Sequence, residues 1–458
     1  MPEEAEVTRL RQRVRELERE VERLRAPSLP AAERRARRPF DFSAHPKKHV
    51  ALRLAYLGWN YQGFASQENT SNTVEEVMFS ALTKTRLVEN RQSANYHRCG
   101  RTDRGVSALA QVISLDLRSA ADGKPEVRYT QMLNRVLPAD IRVLSWAAVP
   151  SSFSARFSCH SRTYRYLFPR DQLDVAAMDR AARMLEGSHD FRNLCKMDVA
   201  NGVVNFVRTV LSARVEPVPE LPGDSGPFQL YHLQIKGLAF LYHQVRCIMG
   251  VLFLVGQGKE KPEVIQELLD VDRNPCKPQY NMAVEFPLVL YDCEFENVQW
   301  IGEKDLQSIT VSHLQRLWTH EAVKSHILRM ALYSLDATPI TTGQDHIPWS
   351  QCEPAVVAHS SGLVEGVSAR TYTPLMKRQV CQALEERVQH YVRRGRISVP
   401  PDGQNVRDKG THNDRKEPGV CDPKSSPEEE SPIPGDEETP SAKRSCPESL
   451  CVSTSANL

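Results

Sequence analysis

From residue 49 onward the period of the apolar positions keeps changing, and each change marks an element. Residues 49–57 alternate, with Val50, Leu52 and Leu54 on one face and Arg53 on the other, which predicts a strand. Thr73 followed by Glu76 has the form of a capping box, and Val74, Val77, Met78, Ala81 and Leu82 then recur at helical spacing. Residues 110–117 read as a strand, 129–136 as a helix and 141–149 as a strand. After Pro150 the order repeats. Residues 162–168 read as a strand, 175–186 as a helix, 205–215 and 229–236 as strands, and 240–255 as a strongly apolar helix. Two successive mixed units predict an α+β protein built from two related halves, 49–150 and 151–299.

The flanks carry other patterns. Val7, Leu10, Val14, Leu17, Val21 and Leu24 are spaced 3, 4, 3, 4, 3, with valine at one seam position and leucine at the other. This predicts a short coiled coil over 1–26 of the type that favours parallel dimers, although a solvated charged helix fits the same residues. A basic linker follows over 27–48. Residues 300–398 look mostly helical. Residues 399–458 are rich in Pro, Ser, Glu, Asp and Lys, a composition that cannot bury enough surface to fold, so a disordered tail is expected.

Composition changes this picture little. Hydrophobic residues make up 40% and charged residues 25% of the 458, which is ordinary for a globular protein. No run approaches the roughly 18 apolar residues of a membrane span, so no membrane partner is expected. Net charge is only +2, but Arg34, Arg35, Arg37, Arg38, Lys47 and Lys48 form a basic arm that the acidic tail offsets. A nucleic-acid partner is permitted by charge, not required. The eleven cysteines include no C-x-x-C pair and no Cys/His cluster at zinc spacing, so reduced thiols in a nuclear or cytosolic protein are expected, with no metal site. "VGQGKEK" at 255–261 lacks the strand and the Gly-Lys-Ser/Thr spacing of a phosphate loop. It reads better as a helix end, with Gly256 or Gly258 near the C′ position.

Three stretches carry candidate chemistry. "HRCGRTDRGVSALAQV" (97–112) sets Asp103 between Arg101 and Arg104 at the mouth of a strand. Residue types alone favour a charged surface turn satisfied by local ion pairs over a catalytic acid beside a polyanion. In "ARFSCHSRTYRYLF" (155–168), Tyr164, Tyr166 and Phe168 share one face of a strand and Arg165 takes the other. That suits base stacking with a phosphate contact, or a stripe facing the core. In "LAFLYHQVRCIMGVLFLVG", Arg246 stands two residues before a buried apolar run, so it needs a carboxylate partner, and Asp103 is the candidate.

These residues carry a resemblance. "GRTDRGVSA", "RTYRY" and "AFLYHQVR", in that chain order, resemble the three motifs of the TruA family of tRNA pseudouridine synthases, over about residues 50–296. "SHDFRNLCKMDVANGVVNF" and "RTYTPLMKR" further resemble its eukaryotic branch, which implies a target at tRNA position 38 or 39. The resemblance implies two ferredoxin-like halves forming one extended antiparallel sheet, a homodimer acting on tRNA, and an isomerisation that needs no cofactor and no metal. It makes Asp103 the essential carboxylate and Arg246 its partner. Tyr164 would stack on the uracil and is a candidate for taking the carbon-5 proton. Arg101 would fill the space of the extruded base or hold a phosphate, and Arg104, Arg165, Tyr166 and His243 are further candidates for substrate contact. Arg104 and Ser107 depart from the bacterial pattern. A retired RNA-binding protein of the same fold is the alternative, and the presence of Asp103, Tyr164 and Arg246 together argues against it.

Overall fold

The structure, a computed structural model, describes residues 40–218, 228–336, 339–342, 345–348, 359–366 and 371–397. The predicted coiled coil (1–26) and tail (399–458) lie outside the described residues.

The first half contains β1 (Lys47–Tyr56), α1 (Val74–Lys84), the two-residue β2 (His97–Arg98), β3 (Ser107–Arg118), α2 (Tyr129–Asn134) and β4 (Ile141–Ala148). The second contains β5 (Cys159–Pro169), α3 (Val175–Arg183), a short β6 (Gly187–Asp190), β7 (Val207–Pro217), β8 (Leu230–Gly237), α4 (Gln244–Gly256), α5 (Val264–Leu269) and β9 (Leu288–Phe295). All nine strands join one sheet in the order β4-β1-β3-β9-β5-β8-β7-β6, with β2 lying on β3. Every pairing is antiparallel except β3 with β9, where Ser107 faces Val289 and Ala108 faces Leu290. That parallel contact is the sheet's junction between the halves. On its other edge β9 pairs antiparallel with β5, setting Leu290 opposite Tyr164.

The alternation in β1 buries Val50, Leu52 and Leu54 completely and leaves Arg53 half-buried against Asp292 at 2.6 Å. Tyr166 and Phe168 of β5 stand edge-on to Phe253 of α4 at 6.2 and 5.7 Å, so this aromatic stripe is core. Nearly all of α4 is buried, which fits an apolar run with no polar face.

Several expectations shift. Only half of the capping box forms: Thr73 Oγ1 accepts from the Glu76 amide at 3.3 Å, while the Glu76 carboxylate accepts from Ser66 Oγ at 2.9 Å. The apolar helix starts at Gln244 rather than 240, because His243 takes a left-handed φ of 56° and breaks the pattern. Its other end is closed by Gly258, whose φ is +67° and whose amide donates to Val255 O at 2.9 Å. The linker boundary at 48 falls inside β1. Ahead of it, Phe40 is covered by the guanidinium groups of Arg86 and Arg118 at 5.2 and 5.5 Å. The 300–398 extension holds one long helix, α6 (Lys304–Asp336), a hairpin of β10 (Pro339–Thr342) and β11 (Asp345–Pro348), and α7 (Leu384–Arg393). The strand β9 escaped the sequence reading because its register partners, not its periodicity, define it.

Gly58 shows how tightly the first half is closed. A Cβ there would stand 1.9 Å from Val106 O. The expected cost of Gly58→Ala is about 2 kcal/mol or more, because the backbone it meets cannot move aside as a flexible side chain would. Denaturant unfolding of the purified variant measures it, and a cost under about 0.5 kcal/mol would contradict the close approach.

Candidate active site

Asp103 sits in the loop between β2 and β3, and that loop is tied down residue by residue. The Cys99 amide donates to Val112 O at 2.8 Å, Gln111 Nε2 to Gly100 O at 2.9 Å, the Phe64 amide to Thr102 O at 3.1 Å and the Gly105 amide to Tyr61 O at 3.1 Å. The hydroxyls of Tyr56 and Thr102 share a hydrogen bond of 2.8 Å. Gly105 has φ +76°, and a Cβ there would meet Glu285 Cγ at 2.6 Å, so the turn after Asp103 requires glycine on two counts.

Asp103 is partly buried, with 25% of its side chain exposed. Burial pushes its carboxyl up to about 6; the positive charge of Arg246 pulls the other way, and the negative charge of Glu285 adds to the rise. His243 Nε2 lies 3.5 Å from Asp103 Oδ2. Burial, with the charges of Arg246, Lys196 and Lys277, pushes this imidazole down to about 3, so it is neutral at physiological pH. Its Nδ1 is buried without a hydrogen-bond partner among the described residues.

Arg246 has a carboxylate partner, as a buried guanidinium must, but the partner is not Asp103. Its Nη2 pairs with Glu285 at 3.0 Å and with Glu365, and its Nε donates to Ala283 O at 2.9 Å. Only 4% of the residue is exposed. Asp103 therefore feels Arg246 as a nearby charge rather than as a bonded fork. Glu285 precedes β9 and Glu365 lies in a late loop, and neither spacing nor pattern in the sequence links them to Arg246.

Tyr164 is buried at the same end of the sheet. Its ring stands edge-on to Phe240 at 5.1 Å, in the segment that leads to His243. Burial pushes its phenol far above the ordinary value, so the resting group is a neutral phenol and not a phenolate. Arg101 lies beside Asp103 with its surface open to solvent in part; the buried share of its guanidinium, and then the charges of Arg98 and Arg156, lower its affinity for a proton. The mouth of the site is thus positive. Arg104 is exposed on the other side of Asp103.

Two expected substrate contacts need correction. Tyr166 has no exposed surface, and its hydroxyl donates to Val284 O at 3.0 Å, so it has no face to offer a base. Arg165 points the other way from Tyr164, as alternation predicts. There its guanidinium covers the Tyr291 ring at 3.6 Å and its Nε donates to Gln234 Oε1 at 2.8 Å. The structure does not bring it to Asp103, because successive side chains of one strand serve opposite faces.

A partly buried acid, a neutral imidazole and a buried phenol, with exposed arginines on either side of the acid, make a candidate site suited to a polyanion. The family model described as "tRNA pseudouridine synthase" matches residues 181–296. The chain belongs to the tRNA pseudouridine synthase family. It is 56% identical over 427 residues to the tRNA pseudouridine(38/39) synthase of Homo sapiens, covering 86% of this chain and 89% of that one. The protein of that name from Saccharomyces cerevisiae is 42% identical over 281 residues, 58% of this chain and 62% of that one. A tRNA pseudouridine synthase A from Methanosarcina mazei is 35% identical over 259 residues, 56% of this chain and 87% of that one.

The raised carboxyl of Asp103 has a consequence for stability. The folded state holds this proton more tightly than the unfolded chain does. The stabilisation is therefore present below the ordinary carboxylate range and lost as pH rises through about 6. Asp103→Asn removes the cost of the buried charge. The variant is expected to match wild type near pH 4 and to exceed it at pH 8 by on the order of 2 kcal/mol. Denaturation curves at the two pH values test this, and a variant less stable at pH 8 than wild type would refute it.

Proposed function

We propose that this chain isomerises uridine to pseudouridine in tRNA, at position 38 or 39 of the anticodon stem-loop, the positions in the names of its mammalian relatives. The observation that carries the reading is 56% identity across 86% of the chain to one such synthase. The reaction breaks the C1′–N1 bond, turns the uracil and forms a C1′–C5 bond; C5 loses a proton and N1 gains one. Atoms and electrons balance within the nucleoside, so no redox partner is needed.

Asp103 is the catalytic carboxylate in this reading. Whether it attacks the ribose, attacks the base or takes a ribose proton, it must be ionised, and a group that titrates near 6 is mostly ionised at neutral pH. Arg246 sets the local charge from behind, and His243 faces the carboxylate without competing as a cation. Tyr164 lies against the uracil as a neutral phenol, which can receive the C5 proton only while passing its own onward. The target base must leave its stack to reach Asp103, and Arg101, with Arg98 and Arg156 nearby, holds the backbone phosphates while it does. Arg104 adds charge to the same rim.

We also read the two halves as ferredoxin-like. The first half has the order strand, helix, strand, strand, helix, strand; the second has the same order with two additions, the edge strand β6 and the short helix α5, and the spatial orders β4-β1-β3-β2 and β9-β5-β8-β7 support this reading. A homodimer belongs to the same reading. The long α6 leaves Val311, Leu314 and Trp318, then Leu328, Leu332 and Leu335, exposed at helical spacing, which supports a partner helix there.

Asp103→Asn is expected to retain under about 1% of wild-type tritium release from uridine labelled at carbon 5 in tRNA. Its tRNA affinity should stay within a few-fold, because phosphate contacts supply most of that affinity. Substantial turnover by this variant would remove Asp103 from its role. Mapping pseudouridine in tRNA from cells lacking the protein tests the position; loss confined to the T-loop would refute it. Replacing Trp318 and Leu328 together by Asp should give a monomer by light scattering, and an unaltered dimer would place the interface elsewhere.

A further inference from the structure

The sequence shows no cysteine cluster, yet the fold makes one. Cys99 follows β2, Cys159 opens β5 and Cys293 lies near the end of β9. Their three sulfurs all lie within 4.8 Å of one another, and those of Cys99 and Cys293 are 3.4 Å apart. Two thiolates on one tetrahedral zinc ion, each at about 2.3 Å, stand roughly 3.8 Å apart. Sub-ångström movement of the side chains would therefore bring all three to one centre.

Three further observations separate this trio from small apolar side chains that happen to meet. First, the backbone is fixed on every arm: the Cys99 amide donates to Val112 O at 2.8 Å, and the Cys293 amide donates to Asp292 Oδ1 at 2.9 Å. Cys159 belongs to β5, between β8 and β9. Second, a cation faces the cluster. Arg162 Nη2 donates to Cys99 O at 2.9 Å, and its charge acts on all three sulfurs. Three thiolates and one divalent ion sum to a single negative charge, which that guanidinium offsets. Third, the cluster has an entrance. Cys99 and Cys293 are buried, but Cys159 is only half-buried and lines an open cleft of about 640 Å³ with Phe153, Phe157, His160, Leu238 and Glu296. An ion can enter there, and a water from the same side can fill the fourth position.

We propose that Cys99, Cys159 and Cys293 form a trithiolate site for one thiophilic d10 cation, zinc(II) with a solvent ligand or copper(I) in trigonal coordination. Binding exchanges three thiol protons, released to solvent, for three metal–sulfur bonds. The bound ion ties the root of the Asp103 loop to the strand that carries Tyr164 and to the strand that joins the halves. It acts on the fold around the site and takes no part in the isomerisation.

The test uses the full chain purified under reducing, anaerobic conditions. Elemental analysis with native mass spectrometry should find one zinc or one copper per chain, or one equivalent taken up when zinc(II) or copper(I) is added; the two ions are distinguished by mass. Cobalt(II) added to the metal-free protein should give a thiolate-to-metal charge-transfer band in the wild type itself, which does not depend on any variant folding. Cys159→Ser, at the half-buried arm, should weaken zinc binding about tenfold or more in competition with a chelator, whereas Cys276→Ser should not. Folding of both variants is checked by circular dichroism. Equal metal content in wild type and in a variant with all three cysteines changed to serine would overturn the proposal. So would a metal-free Cys99–Cys293 disulfide found by peptide mapping of the wild-type protein.

Discussion

Two residues of parallel pairing set the geometry on which the site depends. Ser107 and Ala108 of β3 lie against Val289 and Leu290 of β9, and Leu290 lies in turn against Tyr164 of β5. Ala108, Leu290 and Tyr164 therefore form one row across the sheet, and Asp103 sits five residues before the first of them. A slip of one residue at the β3–β9 contact would turn Leu290 from the buried face to the other and carry Tyr164 away from the Asp103 loop. So short a contact cannot hold the register by its own hydrogen bonds. The register is fixed by what surrounds it: the long antiparallel ladders of β1 with β3 and β5 with β9, and the fully buried Tyr56, Tyr166 and Leu290.

The charges around Asp103 oppose one another. A buried carboxylate beside Glu285 would stay protonated at neutral pH, and a free Arg246 beside it would hold it ionised. The structure shares Arg246 between Glu285 and Glu365, so its pull on Asp103 is only partial. The carboxyl ends near 6, between the two extremes, where it is ionised in the cell yet poorly solvated. An acid with few water partners is more reactive toward a nearby carbon or proton than one in full solvent. The same arrangement makes the site cost stability, as groups held for function commonly do.

His243 illustrates the same compromise in the backbone. Its left-handed φ is uncommon for a residue with a Cβ, and its Nδ1 is buried without a partner among the described residues. Both features follow from turning the chain sharply between Phe240, which meets Tyr164, and Arg246, which meets two carboxylates. A helix running from 240 would move these groups onto successive turns of one cylinder, and only one of them could then face the cleft.

Much of this was legible in the sequence. Alternation placed β1, β3, β4, β5, β7 and β8, because the period of two is a local property that burial on one face enforces. Helical spacing found α1, α3 and the body of α4 for the same reason. The three motifs singled out Asp103, Tyr164 and Arg246 as candidates through a resemblance, and the need of Arg246 for a carboxylate follows from its buried neighbours alone. The tertiary structure decided what depends on residues far apart in the chain. It chose Glu285 and Glu365 over Asp103 as the partners of Arg246, since ion pairs are selected by three-dimensional proximity and any of three acids satisfied the local rule. It made Tyr166 core and left Tyr164 beside the Asp103 loop, although both lie on one strand face, because only α4 covers the former so completely. It brought together three cysteines 60 and 134 positions apart, which no spacing rule can detect. The sequence by itself determined the elements and the reactive residue types; the register of the two halves determined which of those residues meet.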